Sequence, residues 1–128
     1  MMRTIVGLVL ISMLAIVAAP AHSAVAMQMW KCEMEDGTSE ADVTAGASEW
    51  LSAARTMKGG KNLQASVHFP VAVNNAGDLD FLFAVTAPSF EEWGKFWDGY
   101  EGSPAAKLDH KNIVACPNSA LWESIKIK

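Results

Sequence analysis

The spacing of apolar residues changes along this chain in a fixed order. It is two, then near 3.6, then two in two successive runs, then near 3.6, and finally two again. Strands place alternate side chains on opposite faces, and helices bring every third or fourth residue onto one face. That order therefore limits the fold more tightly than any single motif. The first run is "MQMWKCEM", in which Gln28, Trp30, Cys32 and Met34 alternate with Met29, Lys31 and Glu33. "SEADVTAGASEWLSAARTMKGG" follows, with Val43, Ala47, Trp50, Ala54 and Met57 on one helical face. Ser39 with Asp42 approximates a capping box. Gly59-Gly60 is placed to end the helix in a left-handed cap.

"NLQASVHFPVAV" alternates again, and Pro70 suits an edge position because it lacks an amide proton. The turn residues "NNAGD" lead into "LDFLFAVTAP", which is apolar on both faces and so requires cover on both. "PSFEEWGKFWDGYEG" opens on an S-x-x-E box, Ser89 with Glu92, and carries Phe90, Trp93, Trp97 and Tyr100 as a buried aromatic stripe. Gly102 ends it. Ser103-Pro104 restarts a short second helix, "CPNS" breaks the chain, and "ALWESIKIK" closes it as a strand.

The predicted architecture is α+β, a ferredoxin-like β-α-β-β-α-α-β order with a four-stranded antiparallel sheet and helices on one face. The first and last strands lie side by side in that topology. Cys32, late in the first, then meets Cys116, just before the last. A disulfide joining positions 84 apart is the preferred reading. Free thiols and a metal site are the alternatives. Cys32, Cys116, His68 and His110 show no C-x-x-C or H-x-x-x-H spacing, so no metal is expected.

The N-terminus carries an address. Arg3, the uncharged run "IVGLVLISMLAIVAA" and the small residues "PAHSAVA" read as a secretory signal peptide. Cleavage after Ala26 gives residues 1–26 as signal and 27–128 as a single domain; cleavage after Ser23 fits nearly as well. The expected location is periplasmic or secreted. After residue 26 there are nine Lys and Arg against 14 Asp and Glu, scattered without a basic run. Nucleic acid and, once the signal is gone, membrane are poor partners for such a chain.

The face predicted to lack helices carries Met29, Leu82, Ala84 and Trp122 among Lys31, Gln64, Ser66 and His68. A face of this kind suits a second copy. In element order from Met27 to Lys128, and in "APSFEEWGKFWDGYEGSPA", the chain resembles the dimeric α+β barrel superfamily, which includes the antibiotic-biosynthesis monooxygenase-like proteins. The resemblance implies a homodimer. It admits cofactor-independent oxygenases, haem-degrading and dismutating enzymes, and proteins without known activity; a fold of this breadth fixes no chemistry.

Three functions follow from the residues. The first is a non-catalytic binder of a small apolar or aromatic ligand, with Trp93, Trp97, Tyr100 and His110 as its contacts and no cofactor. The second is a monooxygenase-like or haem-associated enzyme, in which His110 or His68 moves a proton or His110 ligates haem. The third is a structural or protein-interaction role without a small ligand. Each candidate has a plainer reading: the rings as core, His110 between Asp109 and Lys111 as a solvated surface side chain, and Glu91-Glu92 as a favourable helix start. No nucleophile–base pair, phosphate loop or paired-carboxylate motif is present, so enzyme activity is left open and leans towards none.

Overall fold

A computed structural model describes residues 24–74, 77, 79–108, 110 and 112–127. Residues 1–23, most of the stretch read from sequence as a signal peptide, and Asn75, Ala76 and Asp78 of the predicted turn lie outside them. The described chain forms β1 (Val25–Met34), α1 (Glu40–Ala54), β2 (Gln64–His68), β3 (Phe81–Ala87), α2 (Phe90–Asp98) and β4 (Val114–Ser124). All neighbouring strands are antiparallel, in the order β2-β3-β1-β4. This is the ferredoxin-like architecture that the periodicities require.

The registers sort the side chains into two faces. Trp30 lies opposite Phe83, Gln28 opposite Val85 and Val67 opposite Phe83, so these share the helix-covered face. Met29 lies opposite Ala84 and Ala120, Met27 opposite Trp122, and His68 opposite Leu82, so these share the other. The central strand β3 is buried or half-buried along its whole length. The helices cover the face of Phe81, Phe83, Val85 and Ala87; on the other face Leu82 and Thr86 are only half-buried.

α1 begins at a complete capping box. The Ser39 hydroxyl accepts the Asp42 amide proton at 3.2 Å, and the Asp42 carboxylate accepts the Ser39 amide proton at 2.8 Å. These bonds to Ser39 hold the Asp42 carboxyl below its ordinary value. At α2 the box is half made. Ser89 accepts from the Glu92 amide at 3.1 Å, but the Glu92 carboxylate accepts from the Asn62 amide group instead.

Four sequence expectations need correction. α1 ends at Ala54 with Arg55 as an ordinary right-handed cap, before Gly59-Gly60. The two glycines serve close approach. Gly59 has φ of +78°, and a Cβ there would stand 2.5 Å from the Glu92 carbonyl oxygen; one on Gly60 would stand 1.9 Å from that of Ala54. The second short helix is only a turn after Ser103, whose hydroxyl accepts the Ala106 amide proton at 3.1 Å. "CPNS" lies inside β4, and Ile125–Ile127 lie beyond it. Cys116 and Pro117 fall at a register shift against β1, a bulge on an edge strand that tolerates the missing proline donor. Finally, the buried rings of α2 are Trp93 and Phe96. Phe90 and Trp97 are 42% and 48% exposed, because a nine-residue helix buries a narrow face.

The main core gathers Trp50 and Ala54 of α1, Leu63 of the α1–β2 connection, Val85 and Ala87 of β3, and Trp93 and Phe96 of α2. A smaller cluster holds Cys32, Val43 and Phe81. Cys32 and Cys116 are joined, with Cα atoms 4.1 Å apart, as side-by-side first and last strands allow.

Candidate functional site

Side chains of α1 decide where the helix layer is full and where it is hollow. Trp50, near the C-terminal end, is a divider. Its indole N–H donates to the Tyr100 hydroxyl at 3.0 Å, and its ring meets Phe96 edge-on at 6.0 Å. One to two turns earlier α1 carries Val43, Gly46 and Ala47; Val43 packs on Cys32 and Phe81, but Gly46 and Ala47 are too small to fill the space a Trp would. A cavity of about 160 Å³ opens beneath them. Its floor is the helix-covered face of the sheet, at Val67, Phe81 and Phe83. Its far wall is the segment leading into β4, with His110, Ile113, Val114 and Cys116.

Backbone bonds hold that wall. The His110 carbonyl accepts the amide protons of Ile113 at 2.9 Å and Val114 at 3.0 Å. Ile113 in turn accepts from the Glu35 amide, beyond the end of β1. The disulfide ties the following residues to Cys32, which is fully buried. The wall is thus tied to β1 by the disulfide and the pairing of β4, and to Glu35 just beyond β1 by a hydrogen bond.

Among the described residues, no charged side chain lines the cavity, and His110 is its one imidazole. The Nε2 atom of His110 is buried and has no hydrogen-bond partner among the described residues. Leaving such an atom unpaired costs about 1–3 kcal/mol. The ring lies against Gly46, where an added Cβ would come within 3.4 Å of Nδ1 and 3.2 Å of the Ile113 side chain. Glycine inside a helix is about 1 kcal/mol less favourable than alanine, so its presence in the middle of α1 answers to this contact.

The candidate residues from the sequence separate in space. His110 lines the cavity and is half-buried, rather than a solvated side chain between two charges. Trp93, 6% exposed, is core. Trp97 stacks on Trp93 at 5.5 Å and on Tyr100 at 4.7 Å, on the outer side of α2. Tyr100 is half-buried and engaged with Trp50. These three rings are not among the residues lining the cavity. His68 is exposed on the helix-free face, 2.8 Å from the Ser66 hydroxyl. Sequence reasoning missed Gly46, Phe81, Phe83 and Ile113. The usable signal was Gly46, a glycine amid good helix formers.

A second hollow, of about 300 Å³, lies between α1 and the edge strand β2. It is more polar, with Thr44, Ser48 and Ser66 among its residues, and Ser66 is already bonded to His68. Among the described residues no group of three or more His, Cys, Asp or Glu is placed to hold a metal ion. The lining offers haem little to hold it: among the described residues it carries one imidazole, whose Nε2 is buried away from the space. Among the described residues, no helix is long and apolar enough to cross a membrane.

The fold and site together define a small disulfide-linked ferredoxin-like domain with an apolar cavity under its first helix. No protein-family model matches the chain, and no curated protein matches it. Solved structures match at the level of fold. The crystal structure of At3g17210 from Arabidopsis thaliana is 10% identical with a TM-score of 0.52, covering 82% of this chain and 96% of that one. A dimeric protein of unknown function and ferredoxin-like fold from Bacteroides fragilis is 9% identical with a TM-score of 0.41, covering 81% and 97%. A variant of chlorite dismutase from Candidatus Nitrospira defluvii is 11% identical with a TM-score of 0.43. This chain is aligned over 83% of its length but spans only 42% of that chlorite dismutase. The likeness to the Arabidopsis protein carries the fold; the other two superpose too loosely to carry more.

Proposed function

We propose that this chain is an exported, non-catalytic binder of a small apolar or aromatic molecule, held in the cavity between α1 and the sheet. The observation that carries this reading is the cavity itself: about 160 Å³, bounded by apolar side chains from α1, two strands and the β4 entry. Pockets of this composition bind by burying ligand surface, with a few polar groups to orient it. Proton transfer or covalent catalysis needs a base placed within reach of a nucleophile or a second acid. Among the described residues, the cavity lining includes one imidazole, whose Nε2 has no hydrogen-bond partner, and no carboxylate, hydroxyl or amine.

The test is calorimetric titration of the purified, oxidised protein with toluene. Saturable binding is expected, together with a higher unfolding temperature, since a ligand bound only to the folded state stabilises it. Val43→Phe, which places a ring in the cavity, is expected to abolish binding. No saturable uptake by the wild-type protein would sink the reading.

Two features of the chain fit export as a dimer. Val25 and Ala26 belong to β1, and Ala26 is fully buried opposite Ala87. Signal cleavage after Ser23 keeps that strand whole, whereas cleavage after Ala26 removes a core residue. Intact-mass analysis of the exported protein is expected to give Ala24 as the first residue; a start at Met27 overturns this choice. The helix-free face presents Met27, Met29 and Leu82 beside Trp122, which is 55% exposed. A second copy would cover such a face. Sedimentation is expected to show a dimer that Trp122→Glu converts to monomer.

A further inference from the structure

The cavity under α1 has a neighbour, and the pair narrows the class of ligand, on the footing that the cavity does bind an apolar molecule. Ala47 of α1 and Val67 of β2 line both the cavity of about 160 Å³ and the second hollow of about 300 Å³ between α1 and the edge strand. Both residues are only half-buried, in keeping with open space on either side of them. We infer that the two hollows form one site for a neutral amphiphilic alcohol, with its apolar head in the inner cavity and its hydroxyl, a few carbons away, in the outer one. The partition is an alanine methyl and a valine, slight enough for a methylene chain to pass between α1 and β2.

The inner cavity suits only the apolar part. Its volume is close to that of an engineered apolar cavity of about 150 Å³ that binds benzene. Among the described residues its lining holds no carboxylate, hydroxyl or amine, and Nε2 of its one imidazole is buried away from the space. The outer hollow differs. Thr44 and Ser48, both exposed on α1, line it together with apolar Leu51, Ala65 and Phe69. The Thr44 hydroxyl donates to the Glu40 carbonyl at 2.8 Å, which leaves its oxygen to accept; a serine hydroxyl can do either. An alcohol both donates and accepts, so it suits the two of them. An ion does not. Among the described residues neither hollow is lined by a charged side chain, and an ion taken from water without a partner is strongly disfavoured. A carboxylate would also meet like charge, because α1 carries Glu40, Asp42 and Glu49 and no Lys or Arg.

Calorimetric titration of the oxidised protein with toluene, 3-phenyl-1-propanol, 3-phenylpropanoate and 3-phenylpropylamine tests this. The alcohol is expected to bind at least tenfold more tightly than toluene, although water solvates it better, and at least tenfold more tightly than either ion. In Ser48→Phe, which fills the outer hollow from an exposed position, the alcohol is expected to fall to the affinity of toluene while toluene is unchanged. Should that variant not fold, NMR of the wild-type complex replaces it: nuclear Overhauser contacts are expected from the ring of the alcohol to Phe81 or Phe83, and from the carbon bearing its hydroxyl to Ser48. An advantage over toluene of less than tenfold, an alcohol affinity unmoved by Ser48→Phe, or no contact with Ser48 overturns the joined site but leaves the apolar cavity standing. An ion bound within tenfold of the alcohol overturns the assignment of a neutral ligand. Binding of neither toluene nor the alcohol overturns the cavity itself; the alcohol bound without toluene places the ligand in the outer hollow alone and overturns both.

Discussion

The two ends of the layer between α1, α2 and the sheet are built from opposite materials. Around α2, Trp50, Trp93, Phe96 and Tyr100 interlock, with Phe96 and Leu63 fully buried. Ring centroids there stand 5.5 to 6.5 Å apart, close to the distances at which aromatic pairs attract. Around the N-terminal half of α1, no second helix lies alongside among the described residues. The wall is a bonded segment of chain, and the helix offers glycine and alanine. The end beside α2 is filled, and the end beneath the N-terminal half of α1 is hollow although Trp50, Phe81 and Phe83 border it. In this molecule, therefore, the space is left by the small residues of α1, and rings line it without filling it.

Four measurements break or sharpen that contrast. The largest effect is expected from Phe96→Ala, which empties the centre of the dense end. It should cost about 3–5 kcal/mol in urea unfolding, against less than about 2 kcal/mol for Ile113→Ala at the rim of a space already open. Equal costs would mean that both ends are packed alike. Next is the disulfide. Replacing Cys32 and Cys116 together by Ala should cost about 2–4 kcal/mol and weaken toluene binding more than it weakens the Trp50–Tyr100 contact, which near-ultraviolet circular dichroism reports. A uniform loss of signal would show that the bond supports the whole fold and not the hollow end in particular.

Gly46→Ala should change stability by about 1 kcal/mol or less, since helix propensity and crowding oppose one another. It should nevertheless reduce toluene affinity, because Ile113 and His110 must yield. Unaltered affinity would detach Gly46 from the cavity. The smallest effect is at the capping box of α1. Asp42 is held below its ordinary value by its bonds to Ser39, so the folded state favours its ionised form. The stability from that bond is present at neutral pH and fades as pH falls through the ordinary carboxylate range to the lower folded value. Asp42→Asn should thus be slightly less stable than wild type at pH 7, with the gap closing in acid. A gap unaffected by pH would place the contribution in something other than charge.

Much of the fold was legible because it rests on local rules. Alternation in "MQMWKCEM" and "LDFLFAVTAP", the helical stripe from Val43 to Ala54, and the cap at Ser39 each depend on residues a few positions apart. Errors arose where neighbours in space decided the outcome. Pro117 reads as a breaker until β1 is seen to accommodate a bulge beside it. Gly59-Gly60 reads as a cap until α2 is seen pressed against Gly59 and the end of α1 against Gly60. Trp97 reads as buried until its helix proves only nine residues long. The site was less legible. His110 was singled out as a histidine near the aromatic helix, but its cavity partners come from α1, β2 and β3, far from it in sequence.

From the order of its residues alone, this chain was committed to four strands, two capped helices and a cysteine pair at neighbouring strands, because periodicity and capping act over three or four residues. Only the tertiary structure decided which rings fill the interior and which space stays open. A cavity is the volume that side chains from distant segments fail to occupy, and no local run of sequence encodes that failure.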